Sequence, residues 1–181
     1  GQEEHPTQAL IDIFTMQSYI KDLNEVNLLI CGNLHYRTIN SLLLGLRHWP
    51  DINIHILTPE VFNLDARYIK KIKKLKNLNI YHDYEELRKK NILNKIDFLY
   101  QEEFHNGFIN SQDAYKQFKK FYLTQEIFDM FNKNIKILHP LPRTETLPTW
   151  LDEKENSIYF EQARNGLYIR AALFLKLFEH I

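Results

Sequence analysis

His139-Pro140-Leu141-Pro142-Arg143 places two prolines one residue apart between a histidine and an arginine. Proline fixes φ and has no N–H to give a ladder, so this segment is stiff and extended. It follows the apolar run Ile135-Lys136-Ile137-Leu138, which reads as a buried strand. A rigid turn at the end of a central strand can aim backbone carbonyls at a ligand. A strand exit without chemistry accounts for the same residues equally well. Near the N-terminal end, His5 and Gln8 are three residues apart around Pro6. At the start of a helix that spacing puts both side chains on one face. His35, His48, His55, His82 and His180 show no metal-like spacing and read as ordinary surface or core residues, so no metal site is expected. Arg143 and Arg164 read as partners in structural ion pairs.

The elements that hold these residues alternate. Pro6 suits a first helical turn, and Ala9, Leu10, Ile13 and Phe14 continue an apolar face to about Tyr19 or Lys21. Asn27 to Cys31, closed by Gly32, reads as a buried strand, and Cys31 as a small core residue. A helix is predicted over Arg37 to His48 with Ile39, Leu42, Leu43 and Leu46 inward. A strand follows over Ile52 to Leu57, then a lysine-faced helix over Asp65 to Leu75. Leu78 to Tyr81 reads as an edge strand, Asp83 and Glu86 as a helix-capping pair, and Ile96 to Tyr100 as another strand. Gln101 to Ile109 reads as a loop and Asn110 to Phe121 as a helix. Thr124 is read as the cap of a helix over Gln125 to Phe131. A long helix begins near Phe160, with Tyr168, Phe174 and Phe178 taken as core and Asn165-Gly166 as a close interhelix contact.

This alternation predicts a three-layer α/β/α sandwich around a mostly parallel sheet of four to five strands. In such sheets ligands bind beyond the carboxyl ends of the strands, at the point where strand order reverses. Three loops occupy those ends: Gly32 to Arg37, Gln101 to His105 and His139 to Arg143. The chain has 181 residues, 44% of them hydrophobic, enough for one ordinary domain spanning 1–181. Lysine and arginine balance aspartate and glutamate at 23 each, which argues against a nucleic-acid or membrane-surface role driven by bulk charge. The single cysteine excludes an intrachain disulfide and fits a reducing, cytoplasmic setting. No stretch reaches the length of a membrane span.

Glu4-His5-Pro6-Thr7-Gln8-Ala9-Leu10, the double-proline turn and Tyr159-Phe160-Glu161-Gln162-Ala163-Arg164-Asn165-Gly166-Leu167-Tyr168, in this order, resemble the second half of the aspartate/ornithine carbamoyltransferases. The proline after His139 favours the aspartate branch, since the ornithine branch typically has cysteine there. The resemblance implies an amino-acid-binding domain with interdomain helices at about 4–21 and 160–179. It implies attack of an amine on carbamoyl phosphate, no cofactor, and assembly as a trimer or larger. His5 matches the donor to the carbamoyl oxygen, and Gln8 the group near the carbamoyl nitrogen. The carbonyls of Pro140 and Leu141 match acceptors for the amine, with a cis Leu141-Pro142 bond. Arg37 matches the grip on the aspartate α-carboxylate, although the glycine usual between Tyr36 and Arg37 is missing.

Where similar enzymes carry Thr-Arg-Val-Gln, this chain reads Gln101-Glu102-Glu103-Phe104-His105. Glu103 stands at the arginine position and His105 at the glutamine position, so both read as degenerate substrate positions. Losing one partner of a buried charge pair costs roughly 3–5 kcal/mol, so aspartate recognition of the usual kind is expected to fail. The alternatives are another amine, with a cationic end facing Glu102 or Glu103, or a non-catalytic paralogue acting as a binding subunit. The phosphate-binding Ser-Thr-Arg-Thr motif and catalytic lysine of the preceding carbamoyl-phosphate domain are absent from this chain. Alone, it is expected not to catalyse, and without that domain part of the aromatic face of its last helix is expected to be exposed.

Overall fold

The computed structural model describes residues 4–62, 69, 70, 72–104 and 118–179. Of the predicted helix over 65–75, residues 69 and 70 are helical and 72–74 form a turn instead, while 65–68 and 71 lie outside the described residues. The predicted helix over 110–121 falls largely outside them, although Lys119–Phe121 forms a single 3-10 turn.

Five strands form one sheet in the order β3-β2-β1-β4-β5, and every neighbouring pair is parallel. They are β1 (Asn27–Cys31), β2 (Asn53–Leu57), β3 (Asn77–Tyr81), β4 (Phe98–Gln101) and β5 (Lys136–Leu138). The central strands are continuous apolar runs because both faces are covered: Leu28 to Cys31, Phe98, Leu99 and Tyr100 are all fully buried. β4 runs one residue further than the sequence suggests, and Gln101 pairs with Cys31. The helices are α1 (Pro6–Tyr19), α2 (Arg37–Leu46), α3 (Tyr84–Lys89), α4 (Gln125–Phe128) and α5 (Tyr159–Phe178).

The order of the strands fixes the site. The chain moves from β1 outward to β2 and β3, then crosses back to β4 and moves outward the other way. Right-handed crossovers taken in opposite directions place their connections on opposite faces. The loops after β1 and β4 therefore diverge and leave a crevice between them. Helices α1 and α2 pack together, and α1 also packs along α5. That last contact is close, as the Asn165-Gly166 pair suggested. Asn165 Nδ2 donates to Thr15 Oγ1 at 3.0 Å, and a Cβ on Gly166 would lie 3.2 Å from Ile11.

Local signals hold where the sequence placed them. Asp83 accepts from the Glu86 N–H at 2.8 Å, while Glu86 Oε1 accepts from the His82 N–H at 3.0 Å. Thr124 Oγ1 accepts from the Ile127 N–H at 3.2 Å. The edge of β5 is covered by residues 156–158, which exchange backbone hydrogen bonds with Ile137. One expectation is overturned: Tyr168, Phe174 and Phe178 are 59%, 60% and 63% exposed. They lie on the turns of α5 beyond Gly166, the last of its buried residues, so they are not core, and the exposure expected for part of this face is present.

Gly32 ends β1 against the start of the loop after β4, where a Cβ would lie 2.6 Å from the Glu102 Cβ with Glu102 backbone 3.3 Å away. A methyl there must push the two strand ends apart. Gly32→Ala is expected to lose about 1–3 kcal/mol of stability, seen in urea as a lower midpoint at unchanged slope.

Candidate functional site

The first turn of α1 sets one wall of the crevice. His5 is the N-cap, and its Nδ1 accepts from the Gln8 N–H at 3.3 Å. Because Nδ1 is the acceptor, the ring proton sits on Nε2. Burial and the Arg37 charge hold the His5 pKa below its ordinary value. His5 is therefore a neutral donor at pH 7, and it lines the crevice. The Ser41 hydroxyl on α2 accepts from the His5 N–H at 2.7 Å and fixes the height of the cap.

Gln8 lines the same crevice, but its amide nitrogen points away, donating to Asp12 Oδ1 at 2.7 Å. Asp12 is fully buried, and burial pushes its carboxyl up to about 7 against the hydrogen bonds from Gln162 and Gln8. Gln162 Nε2 on α5 donates to the same oxygen at 2.6 Å, and Gln162 Oε1 accepts the His139 N–H at 2.8 Å.

The opposite wall is the proline turn. The Leu141-Pro142 bond is cis, and Leu141 has a φ of 54°. His139 Nδ1 accepts the Leu141 N–H at 2.9 Å, so His139 braces the turn. Its Nε2 lies 3.4 Å from Glu103 Oε1. Glu103 also accepts from the Thr144 N–H at 2.8 Å, the Thr146 hydroxyl at 2.8 Å and the Thr144 hydroxyl. Burial pushes Glu103 up, but the bonds from His139, Thr144 and Thr146 outweigh it and hold the carboxyl below its ordinary value. Glu103 is thus a staple between the end of β4 and the loop after β5. Beyond the turn, Arg143 pairs with Asp152, Nη2 to Oδ2 being 2.6 Å, the structural ion pair expected for it.

Arg37 is the first residue of α2 and lies in the crevice with Tyr36 and Thr38 despite the absent glycine. The short loop before it is tied down by Asn33, whose N–H donates to Glu103 O at 3.2 Å and whose Oδ1 accepts the His35 N–H at 2.9 Å. Glu102 accepts from the Thr38 hydroxyl and, at 3.0 Å, from the Glu103 N–H. Its carboxyl pKa is raised, chiefly by burial.

The structure therefore brings His5, Gln8, Arg37, Glu103, Pro140 and Leu141 around one cleft of about 360 Å³. His105 lies outside the described residues. A larger cleft of about 650 Å³ opens beside His82, Asp83 and Glu86, but there Asp83 and Glu86 cap α3 and His82 Nδ1 meets Thr58 O at 2.8 Å. Asp12, Gln162, Thr144 and Thr146 were not singled out from the sequence. Asp12 left a signal, a carboxylate on an apolar helix face four residues from Gln8. Gln162, Thr144 and Thr146 left none, because their partners are distant in the chain.

A parallel sheet with a polar cleft at its switch point, walled by a histidine-capped helix and a double-proline turn, defines an α/β small-molecule-binding domain. Residues 24–177 match the Asp/Orn-binding domain of the aspartate/ornithine carbamoyltransferases, and the chain belongs to that family. It is 31% identical over 175 residues to the aspartate carbamoyltransferase catalytic subunit of Picrophilus torridus, covering 96% of this chain and 55% of that protein. It is 33% identical over 180 residues to that of Clostridium acetobutylicum, covering 98% and 57%. Among solved structures, the catalytic subunit of M. jannaschii aspartate transcarbamoylase superposes with a TM-score of 0.85 at 25% identity, over 99% of this chain and 57% of that one. Aspartate transcarbamoylase from Trypanosoma cruzi, in complex with carbamoyl aspartate and phosphate, gives 0.79 at 25% identity, over 96% and 54%. The chain spans just over half the length of these relatives. Among the described residues no helix is long and apolar enough to cross a membrane.

Because the folded-state pKa of Glu103 is depressed, its stabilisation is present above the unfolded value near 4.5 and is lost as pH falls through the folded one. Glu103→Gln is expected to cost about 1–3 kcal/mol at pH 7. The gap to wild type closes as the pH falls from 4.5 through the lower folded-state value, measurable by denaturant titration at each pH.

Proposed function

We propose that this chain forms the acceptor side of a carbamoyl-transfer site, in which an amino acid attacks carbamoyl phosphate held by a domain outside the chain. The family reaction joins carbamoyl phosphate and L-aspartate to give N-carbamoyl-L-aspartate and phosphate, a step of pyrimidine synthesis. A cytoplasmic setting and a trimeric assembly accompany this reading. The observation that carries it is the convergence of His5 and Gln8 from α1 with the Pro140-Leu141 turn on one cleft that also holds Arg37.

Each group then has a task. The acceptor nitrogen bonds to the carbamoyl carbon, the carbonyl oxygen takes up negative charge in the tetrahedral intermediate, and the bond to phosphate breaks, the departing phosphate taking the proton that the amine loses. His5, neutral with its proton on Nε2, donates to that oxygen. A donor already aimed at developing charge lowers the barrier without reorganisation. The carbonyl oxygen of Gln8 accepts from the carbamoyl NH2. The carbonyls of Pro140 and Leu141 accept from the attacking amine and hold its lone pair toward carbon. Arg37 offers a planar fork to the acceptor's α-carboxylate.

A second reading is favoured by one observation: two buried glutamates, Glu102 and Glu103, line this cleft. A dicarboxylate held by Arg37 would bring its second carboxylate toward them, whereas an acceptor with a neutral or cationic far end would not be repelled. The full-length protein, assayed with carbamoyl phosphate against a panel of amines, tests both readings. Turnover of aspartate at ordinary affinity supports the family reaction. Turnover of a neutral or basic amino acid with at least tenfold preference over aspartate supports the second. No turnover of any amine sinks both and leaves the role of a binding subunit. Under the second reading, Glu103→Arg is expected to lower the aspartate KM at least tenfold, and an unchanged KM would remove Glu103 as the discriminating residue.

A further inference from the structure

We propose that Asp12 is a positioning residue of the transfer site, whose one carboxylate oxygen aligns both walls of the cleft. The proposal rests on the carbamoyl-transfer reading above. Asp12 Oδ1 receives the Gln8 amide at 2.7 Å and the Gln162 amide at 2.6 Å, and Gln162 Oε1 receives the His139 N–H at 2.8 Å. These hydrogen bonds run without a break from α1, through α5, to the residue before Pro140. Asp12 and Gln162 are both 0% exposed, so water does not compete for the contacts.

The chemistry of the groups makes the alignment directional. Asp12 Oδ1 accepts when the carboxyl is ionised and equally when a proton sits on Oδ2, so each glutamine must turn its NH2 toward it. Gln8 is then left with its carbonyl oxygen for the cleft, the end that can receive a carbamoyl N–H. Gln162 is left with its oxygen for the His139 N–H, and His139 in turn holds Leu141 and reaches Glu103. An apolar residue at position 12 would free both amides, and Gln8 could present a donor where an acceptor is needed.

The other groups facing Asp12 are consistent with this. The fully buried Tyr100 on β4 is pushed well upward by burial and then by the Asp12 charge, so it remains a neutral phenol beside the carboxylate. The Asp12 carboxyl is raised to about 7, so its charged form is penalised by the fold as pH rises from about 4 through 7. Asp12→Asn relieves that penalty while keeping an Oδ1 acceptor and unfolds no earlier than wild type at pH 8, so it is the control that separates the charge from the positioning.

The test uses the full-length protein, with isotope-labelled glutamine side chains for NMR. Asp12→Leu is expected to lower kcat at least tenfold while the acceptor KM stays within about twofold, and Asp12→Asn, which keeps an Oδ1 acceptor for both amides, to restore it. In Asp12→Leu the Gln8 side-chain amide protons are expected to exchange faster than in wild type, where the bond to Asp12 holds them. Gln162→Met, which cuts the link to His139 but spares the Gln8–Asp12 bond, is expected to lower kcat while leaving the Gln8 protons protected. Wild-type kcat in both Asp12→Leu and Gln162→Met overturns the proposal, as does unchanged Gln8 protection in Asp12→Leu. If the wild-type protein turns over no amine, the carbamoyl-transfer reading fails, and Gln8 protection alone then decides whether Asp12 holds this amide.

Discussion

The reversal of strand order at β1 and β4 is the constraint on which the site depends. At that point the two following loops must part, and the cleft is the space they leave. Gly32 lets the loop ends stay close at the floor, because a side chain there would meet Glu102. Everything that lines the cleft is then placed by elements anchored to this pair of strands. Arg37 starts the helix after β1, Glu102 and Glu103 follow β4, and the proline turn follows the neighbouring β5. Only α1 comes from outside the sheet, and it is held there by α2 and α5.

Three carboxylates close to this floor are buried: Asp12, Glu102 and Glu103. Burial disfavours the charged form of each, and hydrogen bonding decides how far. Glu103 has hydroxyl, amide and imidazole donors and ends below its ordinary value. Glu102 and Asp12 have fewer effective donors and end above it. A fold optimised only for stability would do as well or better with apolar residues of similar shape at such places. What the carboxylates supply is orientation: Glu103 fixes the loop after the proline turn, Glu102 the Thr38 hydroxyl, and Asp12 two amides.

The strands and their parallel arrangement were legible in the sequence because fully covered strands are unbroken apolar runs closed by glycine, proline or polar residues. Helix starts were legible wherever the cap is local, as at Pro6, Asp83 and Thr124. The walls of the site were legible through His5, Gln8, Arg37 and the turn at Pro140 and Leu141, because these lie in short motifs with characteristic spacing. The network that fixes their orientation was not. Gln162 meets Asp12 across 150 positions, and Thr146 meets Glu103 across 43; neither pairing leaves a periodicity to read. The exposed aromatic residues of α5 show the converse: large apolar side chains on a helix read as core, but their type alone does not say what covers them.

Glu103 belongs to the lining of the cleft and not to its frame. The frame is built of backbone features: a cis-proline turn, a histidine-capped helix start and a sheet that leaves a crevice. The Glu103 carboxylate is accommodated without disturbing the turn, because Thr144 and Thr146 donate to it and His139 Nε2 lies beside it. Under the carbamoyl-transfer reading, the groups that would act on the carbamoyl carbon and those that would read the far end of the acceptor rest on different parts of the fold. The first would be held from α1 and α5 through Asp12, the second from β4. A substitution on β4 would then alter which amine enters while leaving the geometry of attack in place.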